Sequence, residues 1–291
     1  MYDNILNQLN KNIEKNELRH SYIFAGIKNI GKKETAFKFA KNIICNDNIS
    51  KNKFDNNNHP DFAYICPDEK NTIKIETIRN MIKDISIKPI ESEYKVYIIN
   101  DADLITTQGQ NALLKTLEEP PHYAVIILIT SNYYGLLDTI RSRSQRLNFN
   151  KLENKDVLKY INEHNIDIDI KQDLLLFLIN GRIGYIEKIE NDVDIINDLY
   201  EFISDLKNID LIELYTFEKD FLEYKDNIEN ILDYMINIYA YILRNEKNIN
   251  VSIIEKSIEY IEKCKKNIKG NINFEIAIDN LFQNLWEEYN A

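Results

Sequence analysis

Three short apolar runs stand out in the first half of the chain: Tyr22–Ala25, Val96–Ile99 and Val125–Ile129. None carries a charge or a polar alternation, as expected of strands covered by helices on both faces. Between them, apolar residues recur at helical spacing over Lys33–Ile44, Ile75–Ile85 and Gln108–Glu118. Strand and helix alternating in this order predict a parallel α/β sheet. The stretch Asn46–Asn58 is polar and Asn-rich and is predicted to be an exposed loop. From about Lys151 the strand signals stop. Lys155–His164 and Lys171–Ile179 read as short helices, followed by Gly181, Gly184 and another helix. From about Asp192 the pattern stays helical to the end. Ile228, Ile231, Leu232, Met235, Ile236, Tyr239, Ile242 and Leu243 form one stripe, either a helical core or in part a subunit interface. The expected organisation is an α/β domain over 1–150, a small helical lid over 151–191 and an all-helical domain over 192–291.

Composition narrows the function. Of 291 residues, 44% are hydrophobic and 29% charged, which fits a folded protein rather than a disordered one. The net charge of −11 argues against a protein that grips nucleic acid with its own surface, because such proteins carry a basic excess. Cys45, Cys66 and Cys264 are odd in number and far apart, so no disulfide framework is expected. The polar N-terminus and the lack of a long apolar run predict a cytoplasmic protein.

Chemistry concentrates after the first strand. Gly26-Ile27-Lys28-Asn29-Ile30-Gly31-Lys32-Lys33 lies between a strand and a helix, the context of a phosphate-binding loop. Gly26 and Gly31 permit a tight turn whose N–H groups can face phosphate, and Lys32 stands where the motif's lysine reaches it. The next residue should be Ser or Thr to ligate Mg²⁺. It is Lys33, whose ammonium repels a cation. A second acidic site follows the next buried strand, at Asn100-Asp101-Ala102-Asp103. A nucleotide hydrolase needs an Asp for the metal and a Glu for the attacking water. With Asn100 in the metal position the charge is gone and Asp101 is one methylene short. With Asp101 there, Ala102 has no proton acceptor. A third reading is that Asp101 and Asp103 cap the following helix.

Several blocks together resemble the AAA+ clamp-loader family in order and spacing. They are Ile73–Arg79, Lys88-Pro89, Lys95–Asp103, Gln110-Asn111-Ala112-Leu113-Leu114-Lys115-Thr116-Leu117-Glu118-Glu119-Pro120-Pro121 and Thr139–Ser144. His59-Pro60-Asp61-Phe62 resembles the δ′ branch of that family. The resemblance covers about residues 15–190 and implies an AAA+ sheet domain, a helical lid and a C-terminal collar. It places the family's phosphate sensor at Thr130, the alternative there being a strand-end polar residue that satisfies local backbone, and its lid arginine at Gly184, with Arg182 as a shifted substitute. The family often carries a four-cysteine zinc module. Here Cys45, Cys66 and His59 fall one ligand short, so zinc is not expected.

The departures all weaken the chain's own ATP site, formed by Gly26, Gly31, Lys32, Asp101 and Thr130. What the resemblance implies is therefore a non-motor subunit of the DNA polymerase III holoenzyme. It would need no cofactor and would hydrolyse no ATP, with ATP binding at Lys32 left open. Arg143, in Ser142-Arg143-Ser144, matches the family's arginine finger, which completes a neighbour's ATP site in trans; the alternative is a surface arginine paired with an acid. The implied partners are the motor (γ/τ) subunits, the δ subunit, the sliding clamp and primed DNA within the complex, with no membrane. The competing reading is a divergent ATP-hydrolysing motor subunit.

Overall fold

The computed structural model describes residues 2–246, 250–270 and 272–290. The chain divides into two compact units, one formed by 1–156 with 181–184, the other by 157–180 with 185–291.

The first unit runs α1 (Asp3–Glu14), β1 (Ser21–Ala25), α2 (Lys32–Ile44), α3 (Asn48–Asp55), β2 (Phe62–Ile65), α4 (Ile75–Ile85), β3 (Lys95–Ile99), α5 (Thr107–Glu118), β4 (Ala124–Thr130), α6 (Asp138–Arg143) and β5 (Gln145–Asn148). The strands form one parallel sheet in the order β2-β3-β4-β1-β5. The α/β class expected from the sequence is the one observed. Every residue of β1, β3 and β4 is buried. Alternate side chains feed two cores. Tyr22, Phe24, Val96, Ile98 and Ile127 pack on one face with Phe39, Ala40 and Ile44 of α2. Ile23, Tyr97, Ile99, Ile126 and Leu128 pack on the other with Ile78, Met81 and Ile85 of α4 and Leu113 and Leu117 of α5. This two-sided burial is why these three strands read as unbroken apolar runs.

β2 and β5 are the edges of the sheet. They lack the run pattern because one side of each meets no strand: β2 is only half-buried, and β5 keeps Leu147 alone in the core. The expected loop over Asn46–Asn58 contains a helix instead, α3. Its polar surface hides two local signals. Asp47 and Ser50 form a capping box, each side chain accepting the other's backbone N–H, and Phe54 is the one apolar anchor, buried against Phe62 at 4.4 Å between ring centroids.

The second unit contains α7 (Asn154–Glu163, which begins at the boundary), α8 (Gln172–Ile179), α9 (Ile186–Asn191), α10 (Val193–Asp205), α11 (Leu211–Phe221), α12 (Ile228–Asn245), α13 (Val251–Lys269) and α14 (Phe274–Asn290). The stripe on α12 is core over most of its length: Ile228, Ile231, Leu232, Met235, Tyr239 and Ile242 are buried, while Leu243 is exposed. The Asp192 carboxylate accepts bonds from Tyr234 Oη (2.9 Å) and Asn227 Nδ2 (3.2 Å), and Trp286 Nε1 donates to the Ile209 carbonyl (2.9 Å).

The His59–Phe62 turn owes its residues to one buried carboxylate. Asp61 accepts from the backbone N–H groups of Ile90 (2.7 Å), Glu91 (2.8 Å) and Ser92 (2.9 Å) and from Ser92 Oγ (3.0 Å). It thereby fastens the segment before β3. Burial pushes its pKa up, but the four donors outweigh burial and hold it below the usual carboxylate range. Asp61→Asn should cost about 1.5–3 kcal/mol at pH 7, read from urea unfolding. A folded pKa below the unfolded one gives stability that is complete above the unfolded value, about 4, and is lost as pH falls through the depressed one. The difference between wild type and variant should therefore shrink on acidification below about pH 4.

Candidate functional site

The carboxyl ends of parallel strands share one edge, and that edge is where an α/β sheet can hold a ligand. β1 ends at Ala25. The Gly26 N–H donates to the Thr130 carbonyl at the end of β4 (3.2 Å), and the Phe149 N–H donates to the Ala25 carbonyl (2.8 Å). A Cβ on Gly26 would lie 2.4 Å from the Phe149 carbonyl oxygen, so no larger residue fits there without moving backbone. Gly31, at φ 91°, then turns the chain into α2.

Lys32, the first residue of α2, is 6% exposed. Its Nζ donates to the loop's own carbonyls, Gly26 at 2.7 Å and Ile27 at 2.6 Å. Burial pulls its pKa down to about 8, against the opposing pull of Asp101 and Asp103. Lys33 turns its ammonium toward aromatic faces, 5.1 Å from the Tyr64 ring centre and 5.7 Å from that of Phe37. The loop apex also has a neighbour from far along the chain: the Gly184 N–H donates to the Asn29 carbonyl (2.9 Å), and a Cβ on Gly184 would come within 3.1 Å of Asn29 Cβ. The Gly at 184 suits this close backbone approach.

Asp101 has φ 48° and receives Asn100 Nδ2 on its carboxylate at 2.8 Å. It stands at the start of a short 3₁₀ turn over Ala102–Leu104 but makes no side-chain cap, so the capping reading does not describe it. Asp103 accepts instead from Thr130 Oγ1 at 2.5 Å. Thr130 is fully buried, and its Oγ1 also accepts from the Asn132 N–H (3.0 Å). The structure therefore brings Gly26, Gly31, Lys32, Asp101 and Thr130 to one edge. There Lys32 and Thr130 satisfy their polar atoms within the chain.

Arg143 stands apart, as the last residue of α6. Its Nη2 pairs with Glu118 Oε1 at 2.8 Å, and its Nη1 donates to the Thr139 carbonyl at 3.0 Å. About a third of the side chain remains exposed. The neighbouring Ser144 Oγ lies 2.7 Å from Ser21 Oγ on β1, which fixes the end of α6 to the sheet. Arg141 faces other partners, Asp138 and the rings of Tyr133 and Tyr134. Buried Gln110 sets the approach to α6. Its Nε2 donates to the carbonyls of Ile105 and Gly135 (3.2 Å each), and its Oε1 accepts from the Leu137 N–H (2.8 Å). The roles of Gln110 and Glu118 were missed from sequence, although both lie in the Gln110–Pro121 block; what they touch is set by a segment more than twenty residues away.

The residues weighed as zinc ligands lie in different settings. Cys45 is buried and Cys66 exposed, while His59 spends Nδ1 on the Asp61 N–H (3.2 Å). Among the described residues, no three His, Cys, Asp or Glu side chains converge as metal ligands, so the residues do not fit a four-ligand zinc.

The sequence model of the family described as "DNA polymerase III, delta subunit" matches residues 1–153, more than half of the chain. The chain belongs to this family. Among curated proteins, a relative is the DNA polymerase III subunit delta′ of Bacillus subtilis, 28% identical over 97% of this chain and 95% of that protein. Another, the gamma/tau subunit of Mycoplasma genitalium, is 27% identical over 90% of this chain but only 48% of its own length. The solved structure of a gamma subunit-related protein of DNA polymerase III from Thermotoga maritima shares the fold. Its TM-score is 0.57 at 20% identity, covering 98% of this chain and 99% of that one. The shared fold agrees with the parallel α/β sheet expected from the sequence.

The Lys32 environment can be read directly. NMR of the lysine Cε–Nζ groups should show one resonance titrating near pH 8, well below an ordinary lysine at about 10.4. Lys32→Met should remove it. A lysine pKa lowered by folding makes the unfolded state bind more protons between those values, so this group's contribution should make stability rise with pH from about 8 to 10.

Proposed function

We propose that this chain is the non-motor δ′ subunit of a bacterial replicative clamp loader. In this reading it hydrolyses no ATP itself and supplies Arg143 to the ATP site of an adjoining motor (γ/τ) subunit. Together with those subunits and δ it loads the sliding clamp onto primed DNA in the cytoplasm. Residues 151–191 act as the lid and 192–291 as the collar through which the subunits join. One contrast supports this most: the groups that would act on a nucleotide in this chain are turned inward, while the arginine that would act on a neighbour keeps about a third of its side chain exposed. Lys32 is bound to its own loop, Lys33 stands where a metal-ligating hydroxyl is needed and leans on Tyr64, and Thr130 is closed onto Asp103. Phosphoryl transfer relies on a metal and positioned charges, and such a site lacks its metal ligand. The loop's backbone still has the form of an anion cradle at the start of a 13-residue helix, which is compatible with passive nucleotide binding. No described helix is long and apolar enough to cross a membrane.

The purified chain should release phosphate from ATP no faster than buffer. Turnover abolished by Lys32→Ala would establish the motor reading instead.

In the reconstituted complex, Arg143→Ala should leave assembly intact and lower clamp-stimulated ATP hydrolysis and clamp loading. At the single site it serves, an arginine finger is worth roughly 10³–10⁵ in rate in small GTPases, so the loss there should be large even where other sites keep total turnover up. Arg143→Lys should rescue little, since a point charge does not reproduce the planar fork. Clamp loading at the wild-type rate by the alanine variant refutes the assignment.

A further inference from the structure

The free chain does not leave Arg143 waiting in solvent. Its guanidinium is held on both sides: Nη1 by the Thr139 carbonyl and, at 3.4 Å, by Ser142 Oγ on its own helix, and Nη2 by the Glu118 carboxylate at the end of α5. The two holds differ in kind. The carbonyl is a neutral acceptor within one helical turn and can stay in place while the other nitrogens turn to a new ligand. The carboxylate is an anion and competes with any phosphate for the same nitrogen. Both carboxylate and guanidinium remain partly exposed, at 47% and 35%, so water and salt weaken the pair, and it can open without leaving a buried charge behind.

We propose that Glu118 is the positioning residue of Arg143: it parks the guanidinium in the free chain and yields it to the phosphates of a nucleotide held by an adjoining subunit. This inference rests on the finger reading and adds to it a residue and a sign. The parked form does not reach a neighbour, so apparent nucleotide affinity at the served site falls by the fraction of finger that is free. Once the phosphates have taken the guanidinium, Glu118 has no part in the reaction. Its removal should therefore change how readily the nucleotide engages the finger and leave the chemical step alone. Glu118→Gln keeps the shape and removes the charge. A glutamine carbonyl still accepts a hydrogen bond, but a neutral one, which competes poorly with a triphosphate.

Two measurements separate this inference from the reading beneath it. In the full-length free chain, exchange of the Arg143 side-chain N–H protons with solvent is followed by NMR. Glu118→Gln should speed it, and raised salt should do the same to wild type. In the reconstituted complex with clamp and primed DNA, Glu118→Gln should lower KM for ATP about two- to fivefold, the range open to a partly exposed pair, at unchanged kcat. The double variant Glu118→Gln/Arg143→Ala should behave as Arg143→Ala alone. A merely structural role for Glu118 would raise KM or reduce kcat, and that result overturns the proposal. So does unchanged Arg143 exchange in the free variant, or an unchanged KM in a complex where Arg143→Ala lowers turnover. An Arg143→Ala complex that loads clamps at the wild-type rate overturns the finger reading itself, and the inference with it, whatever the free chain shows.

Discussion

The site hangs on the close contact between Gly26 and the carbonyl of Phe149. β1 is hydrogen-bonded on both sides, to β4 and to β5, so the chain leaving it has no lateral freedom. Its first step passes 2.4 Å, measured from the position of a Cβ, from a fixed backbone oxygen. Only glycine makes that step. Gly31 makes the second at a positive φ, and between them the loop folds tightly enough for Lys32 to reach back to the carbonyls of Gly26 and Ile27. The ammonium thus finds ligands in its own turn. Losing them would strand a buried charge; burial lowers its pKa, against the opposing pull of Asp101 and Asp103.

The same edge handles its other polar groups in the same way. Thr130 and Asp103 meet across the ends of β4 and β3, and Asn100 meets Asp101. Buried polar groups find partners, and here the partners lie within the chain. Outside that edge, Gln110 ties α5 to the segment leading into α6, and Ser144 ties the end of α6 to β1. These two ties fix the helix that carries Arg143 while its guanidinium stays at the surface. An inward-facing site and an outward-facing arginine are thus products of the same packing.

The blocks that identify the family are dense with residues whose importance is positional. Asp61 fastens the segment before β3; Gln110 braces the approach to α6; Glu118 meets Arg143. None of these contacts is between near neighbours in sequence. A reading by residue chemistry alone takes Asp61 for a turn residue and Glu118 for a solvated helix end.

The sequence by itself determined the α/β class, the three central strands and the helices between them, because burial on both faces demands apolar runs and one-sided burial demands helical spacing. It also determined the glycine turn at Gly26–Lys32 and a lysine rather than a hydroxyl residue at position 33, since both are matters of residue type at fixed spacing. Tertiary structure alone decided the rest. The edge strands β2 and β5 escaped because a strand with one neighbour need not be uniformly apolar, and α3 escaped because a capping box and one buried phenylalanine suffice to hold a polar helix. Where Lys32, Thr130 and Arg143 point was equally beyond the sequence. A side chain's partner is fixed by whichever atoms the fold brings within hydrogen-bonding distance, and those atoms lie up to 27 residues away for Thr130 and 25 for Arg143.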